Sequence, residues 1–134
     1  MKELTYQLHA ADVPLNMHGS ITGACLFDIL DRASLVWINE NITNKIEGVS
    51  VATCTADVKY HQRVLQYGFI SAFAECVDIT PGKITIEVDL YNRTKDQEKG
   101  ELAVTGTLSF SMIDDTTYRL KRIPRQFLSI KQGE

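Results

Sequence analysis

Apolar positions change their period once along the chain, near residue 48. From Gly23 to about Asn39 the residues Ala24, Leu26, Phe27, Leu30, Ala33, Leu35, Val36, Trp37 and Ile38 crowd a 3.6-residue period. They surround most of a helix, which predicts a helix buried on nearly every side. Thr22 is placed to cap it, because its hydroxyl can accept from a free first-turn amide. Beyond Asn44 the period becomes two. Val49 to Val58 reads as a strand, and Phe69 to Val77 follows a turn at Tyr67-Gly68. After Pro81-Gly82, the residues Ile84, Ile86, Val88 and Leu90 alternate with Thr85, Glu87 and Asp89. Asn92 to Gly100 reads as a hairpin loop. Leu102, Val104, Leu108, Phe110 and Met112 form the last alternating run, and Leu4 to Leu8 a short first strand. Short turns favour antiparallel neighbours. The expectation is an α+β fold with one long buried helix against a five-stranded antiparallel sheet. One helix cannot cover such a sheet, so dimerisation should bury the rest.

The 134 residues fit one domain, 1–134, with a tail from about 119. A net charge of -3 argues against a nucleic-acid partner. The chain has no long apolar run and no basic-then-apolar leader, so neither membrane insertion nor export is expected, and the cytoplasm is the expected compartment. Cys25, Cys54 and Cys76 are widely spaced and expected to be reduced. His9, His18 and His61 lack zinc-ligand spacing, so no metal and no cofactor is expected.

Asp28 and Asp31 interrupt the apolar helix. A carboxylate there is costly unless paired, hydrated or used. The bland reading is a solvated pair with Arg32. Upstream, Asn16-Met17-His18-Gly19-Ser20-Ile21-Thr22-Gly23 mixes polar side chains with two glycines before a helix start, where exposed amides can meet an anion or a developing oxyanion.

The pattern Asn16-x-His18-Gly19-x3-Gly23-x2-Leu26-Phe27-x3-Asp31-x-Ala33, followed by Gly48-Val49-Ser50-Val51, resembles the active-site signature of hotdog-fold acyl-CoA thioesterases of the phenylacetate-pathway type. The resemblance spans roughly residues 12–113. It implies Asp31 as nucleophile or general base and Asn16 as the group orienting water or the thioester. It implies the Gly23 amide as carbonyl donor and Ser50 as a hydrogen-bonding neighbour of Asp31. Thr22 and Ala24 stand where the family often has His and a second Gly, on the substrate side of the helix start, and His18 is a further polar candidate. An acyl-CoA substrate brings phosphates, for which Arg63 and Lys83 are candidates, with Arg93 and Lys95 as further ones.

Gly23 and Asp31 are separated by about 12 Å of helix at 1.5 Å per residue. One thioester carbonyl cannot easily meet both from the same chain. The expectation is therefore a site shared across a homodimer, possible also in a dimer of dimers. Thioesters of acyl carrier protein are a rival substrate. A hydroxyacyl-thioester dehydratase using His18 and Asp31, and a non-catalytic acyl-CoA-binding protein, are rival functions.

Overall fold

A computed structural model describes residues 1–17, 19–94 and 100–130. His18 and Lys95 lie outside the described residues. Five strands and one long helix follow in the order β1 (Glu3–His9), α1 (Gly23–Asn41), β2 (Val49–Tyr60), β3 (Phe69–Thr80), β4 (Lys83–Arg93) and β5 (Glu101–Asp114). They form one sheet in the order β1-β3-β4-β5-β2, every neighbouring pair antiparallel. The expected α+β architecture is the one observed.

Alternation explains the layering. Ile84, Ile86, Val88 and Leu90 of β4 and Val104, Leu108, Phe110 and Met112 of β5 are buried on the helix side. Against them α1 sets Leu26, Ile29, Leu30, Ala33, Trp37 and Ile38. Burial of such side chains is worth about 1.5–3 kcal/mol each, which makes this layer the main source of stability. Gly106 of β5 is a place of close approach, because a Cβ there would stand 3.0 Å from a Leu30 methyl.

The helix departs from the expectation in one respect. It is covered on one face, not all round. Asp28, Arg32, Asn39 and Glu40 are exposed, and Phe27, Leu35 and Val36 are half-buried. The apolar excess that suggested complete burial lies beside one of the two edges of the sheet.

That edge is β2. It pairs with β5 on one side only, over its whole length. A register shift between Thr53 and Thr55 marks a bulge at Cys54. Residues 119–130, expected as a tail, fold back onto the core. The Lys121 amide donates to the Met112 carbonyl and the Ile123 amide to the Pro81 carbonyl. Ile123 and Phe127 are each 2% exposed.

Candidate active site

The loop before α1 is pinned at both ends. The Ile21 amide donates to the Val64 carbonyl, and Leu15 bridges Ile21 across a tight turn. Asn16 closes that turn: its amide donates to the Ser20 carbonyl, and its side-chain oxygen accepts from the Ser20 amide. Gly19, at φ +79, supplies the left-handed residue the turn needs.

Thr22 then starts the helix as expected. Its hydroxyl accepts from the Cys25 amide at 3.2 Å, and its carbonyl accepts from the Leu26 amide. First-turn amides have no partner within a helix. The cap serves Cys25 and leaves the amides of exposed Gly23 and Ala24 at the positive end of the helix dipole.

Beside this helix start lies a pocket of about 730 Å³, lined by residues that include Asn16, Ser20, Gly23, Tyr60 and Arg63. Leu26, Ile21 and Val64 supply its apolar wall. Arg63 is steadied by an Nε bond to the Ser20 hydroxyl at 2.6 Å. Three of the expected site residues, Asn16, Gly23 and Arg63, therefore meet. Among the described residues, the lining contains no carboxylate.

Nothing in the chain's own packing requires glycine at position 23. Its φ is not in the left-handed region, and a Cβ would meet the Tyr60 phenol oxygen at an ordinary 3.6 Å. The absent side chain leaves room for something from outside the chain to approach the helix start.

Asp31 lies elsewhere, half-buried on the side of α1 that faces β2. One of its carboxylate oxygens accepts from the Thr53 hydroxyl at 2.7 Å. Ser50 does not serve Asp31 within the chain: its hydroxyl donates to Asp115 on the other face of the sheet. The reason is strand parity. Ser50 and Thr53 are an odd number of residues apart, so they point to opposite faces.

Asp28 makes the surface pair that the bland reading foresaw. It accepts from Arg32 Nε at 2.7 Å, with both side chains more than half exposed. Ala24 borders a separate groove of about 380 Å³ with Tyr6, Cys25 and Asp28. Lys83 is not brought to the pocket of its own chain. Tyr60 is level with Leu90 through Val104, and Lys83 lies about 23 Å further along β4 at 3.3 Å per residue. Arg93 faces the outer sheet surface, where it bonds Ser71 and Gln7 and stacks over Phe69.

Thr53, which bonds Asp31, and Tyr60, which lines the pocket, were not among the residues expected at the site. Both point toward the helix although their separation is odd. The bulge at Cys54 reverses the parity between them. Among the described residues, no group of three or more His, Cys, Asp or Glu could hold a metal ion. No helix among them is long and apolar enough to cross a membrane.

Comparison with known proteins bears on the fold. No family model matches the chain, and no curated protein does. Solved structures do. An Asp-to-Ala variant of a hexameric broad-specificity acyl-coenzyme A thioesterase superposes with a TM-score of 0.77 at 17% identity, over 96% of this chain and 91% of that one. A hexameric hotdog-fold thioesterase of Campylobacter jejuni gives 0.74 at 17% identity, over 92% of each chain. A protein from Bacillus halodurans solved with CoA gives 0.67 at 22% identity, over 80% of this chain and 65% of that one. The fold of this chain is the hotdog fold.

Proposed function

We propose that the chain is an acyl-CoA thioesterase of the phenylacetate-pathway type, hydrolysing its substrate at sites shared between two subunits. The observation that carries this reading is the division of the chemistry. Among the described residues, the pocket at the helix start holds a carbonyl donor and a cation but no carboxylate, while Asp31 faces the edge strand β2.

The edge supplies the means of joining them. β2 is 12 residues long, contains no proline and has Lys59 as its single lysine. Its bulge at Cys54 and the charges of Asp57 and Lys59 interrupt only parts of the edge, and the remaining run of small and β-branched residues is a template for pairing. Half-buried Leu35, Val36, Val49 and Val51 flank it with apolar surface. Two β2 strands paired antiparallel about a two-fold axis set the Tyr60 end of one against the Val49–Thr53 end of the other. Gly23 of one subunit then stands opposite Asp31 and Thr53 of its partner.

In that arrangement the thioester carbonyl oxygen lies at the helix-start amides, which stabilise the charge that develops there. Asp31 from the other subunit takes a proton from the attacking water, or attacks the carbonyl itself. The C–S bond breaks, and coenzyme A leaves as a thiolate that is protonated to the thiol; where Asp31 itself has attacked, water then hydrolyses the acyl–Asp31 anhydride, which releases the acid and restores the carboxylate. Thr53 holds the Asp31 carboxylate in place through its hydroxyl. Arg63 at the pocket rim offers a cation to the phosphates of the substrate. Acyl-CoA thioester hydrolysis is also the activity named for the broad-specificity structural neighbour, and CoA is bound in another.

The test is a thiol-release screen over acyl-CoA esters with the wild type and Asp31→Asn. Wild type releases thiol from at least one ester. Asp31→Asn lowers turnover by about 100-fold or more, the usual worth of a general base, and keeps the fold. Full activity in Asp31→Asn, with loss in Asp28→Asn, contradicts the assignment. Formation of an enoyl product from a 3-hydroxyacyl-CoA without free thiol contradicts the reaction class.

A further inference from the structure

We propose that Tyr60 is a positioning residue for this reaction, fixing the helix-start peptide whose amides receive the thioester oxygen. The inference rests on the reading of the site as a thioesterase site and adds a residue to it.

Tyr60 is the last residue of β2 and is 52% exposed, yet its phenol is engaged. The hydroxyl donates to the Gly23 carbonyl at 3.2 Å. The ring edge lies beside the Gly23 Cα, so that a Cβ there would meet the phenol oxygen, Cζ and one Cε atom within 3.9 Å. The strand beneath is held by amides of His61 and Gln62 donating to the Ala103 carbonyl.

The chemistry of the contact follows from the peptide it touches. The Gly23 carbonyl and the Ala24 amide belong to one planar trans peptide and point in opposite directions. A hydrogen bond to that carbonyl fixes the plane and so aims the Ala24 amide outward from the helix start. It also polarises the peptide, making the amide a stronger donor. The preceding peptide, which carries the Gly23 amide, is fixed independently by the Leu26 amide on the Thr22 carbonyl. As the first residue of α1, Gly23 also offers this carbonyl to the helical bond from the Phe27 amide, so the Tyr60 hydroxyl is a second donor to it. Tyr60 therefore adds to the hold and the polarisation that the helix supplies, from the side where the pocket lies.

Donor aim matters in the transition state more than in the bound ester, because the oxygen gains charge as attack proceeds. The prediction is therefore a split between kcat and KM. Tyr60→Phe keeps the ring and loses the hydroxyl. It should lower kcat by about fivefold, the worth of one neutral hydrogen bond, with KM, thermal midpoint and oligomeric state unchanged. Tyr60→Leu removes the wall as well and should raise KM in addition. A spectroscopic readout isolates the polarisation: in the Asp31→Asn background an acyl-CoA stays bound unhydrolysed. Its thioester carbonyl stretch should move to higher frequency when Tyr60→Phe is added. An unchanged kcat in Tyr60→Phe overturns the proposal while leaving the thioesterase reading intact. So does a loss of kcat with a lowered midpoint and no shift of the carbonyl stretch, which would mark a purely structural contact. A wild type that hydrolyses no thioester overturns the thioesterase reading and this proposal with it.

Discussion

Gly23 is the residue at which fold and chemistry can be separated. Its backbone is ordinary helix and its surroundings admit a methyl group. Gly→Ala at a compatible helical position stabilises a protein by about 0.4–1 kcal/mol, chiefly by restricting the unfolded chain. Gly23→Ala should accordingly leave the thermal midpoint unchanged or slightly raised. The same methyl would stand where the thioester oxygen must approach, and loss of an oxyanion donor costs about 100-fold in kcat. Parallel measurement of melting and thiol release checks this, and a variant that loses stability while keeping activity would show the glycine to be structural. The resemblance singled out Asp31 by its spacing to Asn16 and Gly23. Its hydrogen-bonding neighbour within the chain differs from the one implied. The resemblance pointed to Ser50, but alternation turns Ser50 away from the helix, and Thr53 makes the contact. Tyr60 was hidden for a related reason: the bulge at Cys54 brings it to the face of Thr53, and one extra residue in a strand leaves no mark on its composition.

At the scale of elements, the change of period from about 3.6 to two separated the helix from the strands, and Thr22 marked where the helix starts. Each signal is local, which is why it survives in a bare sequence. The return of residues 119–130 is not local. Arg119, Lys121, Arg122 and Arg125 are exposed and give the segment the look of a solvated tail, while its two buried residues, Ile123 and Phe127, are too sparse to form a pattern. Ile123→Ala should cost about 2–5 kcal/mol, as a large-to-small change in a packed site does, and chemical denaturation will show whether it does. The turn that starts the return is held by Asp114, whose carboxylate accepts from the Thr117 and Thr116 amides. Those two amides hold its pKa below the ordinary 3.8. The stabilisation is complete above that value and is lost as pH falls through the lower folded value. Asp114→Ala should lower the thermal midpoint at neutral pH, and its difference from wild type should shrink once the pH drops below 3.8. A constant difference across that range would mean that the charge is not what holds the turn.

At the scale of the whole molecule, the excess of apolar residues on α1 is not completely buried within the chain. Phe27, Leu35 and Val36 remain half-buried beside an edge strand that has no partner on its outer side among the described residues. The rise of a helix already separated Gly23 from Asp31 in the sequence. The structure adds that the helix-start pocket has no acid among the described residues that line it and that Asp31 looks toward the edge. These facts meet in one claim, that each site takes its donor from one subunit and its carboxylate from the other. Complementation measures it directly. Asp31→Asn and Gly23→Ala, each nearly inactive alone, are co-expressed with different tags and the mixed species is isolated. A shared site regenerates one of the two centres in each mixed dimer, so the isolated mixed species should recover about half of wild-type thiol release, and an unselected mixture about a quarter. A mixture no more active than its two parents would place donor and carboxylate on the same chain and contradict the account.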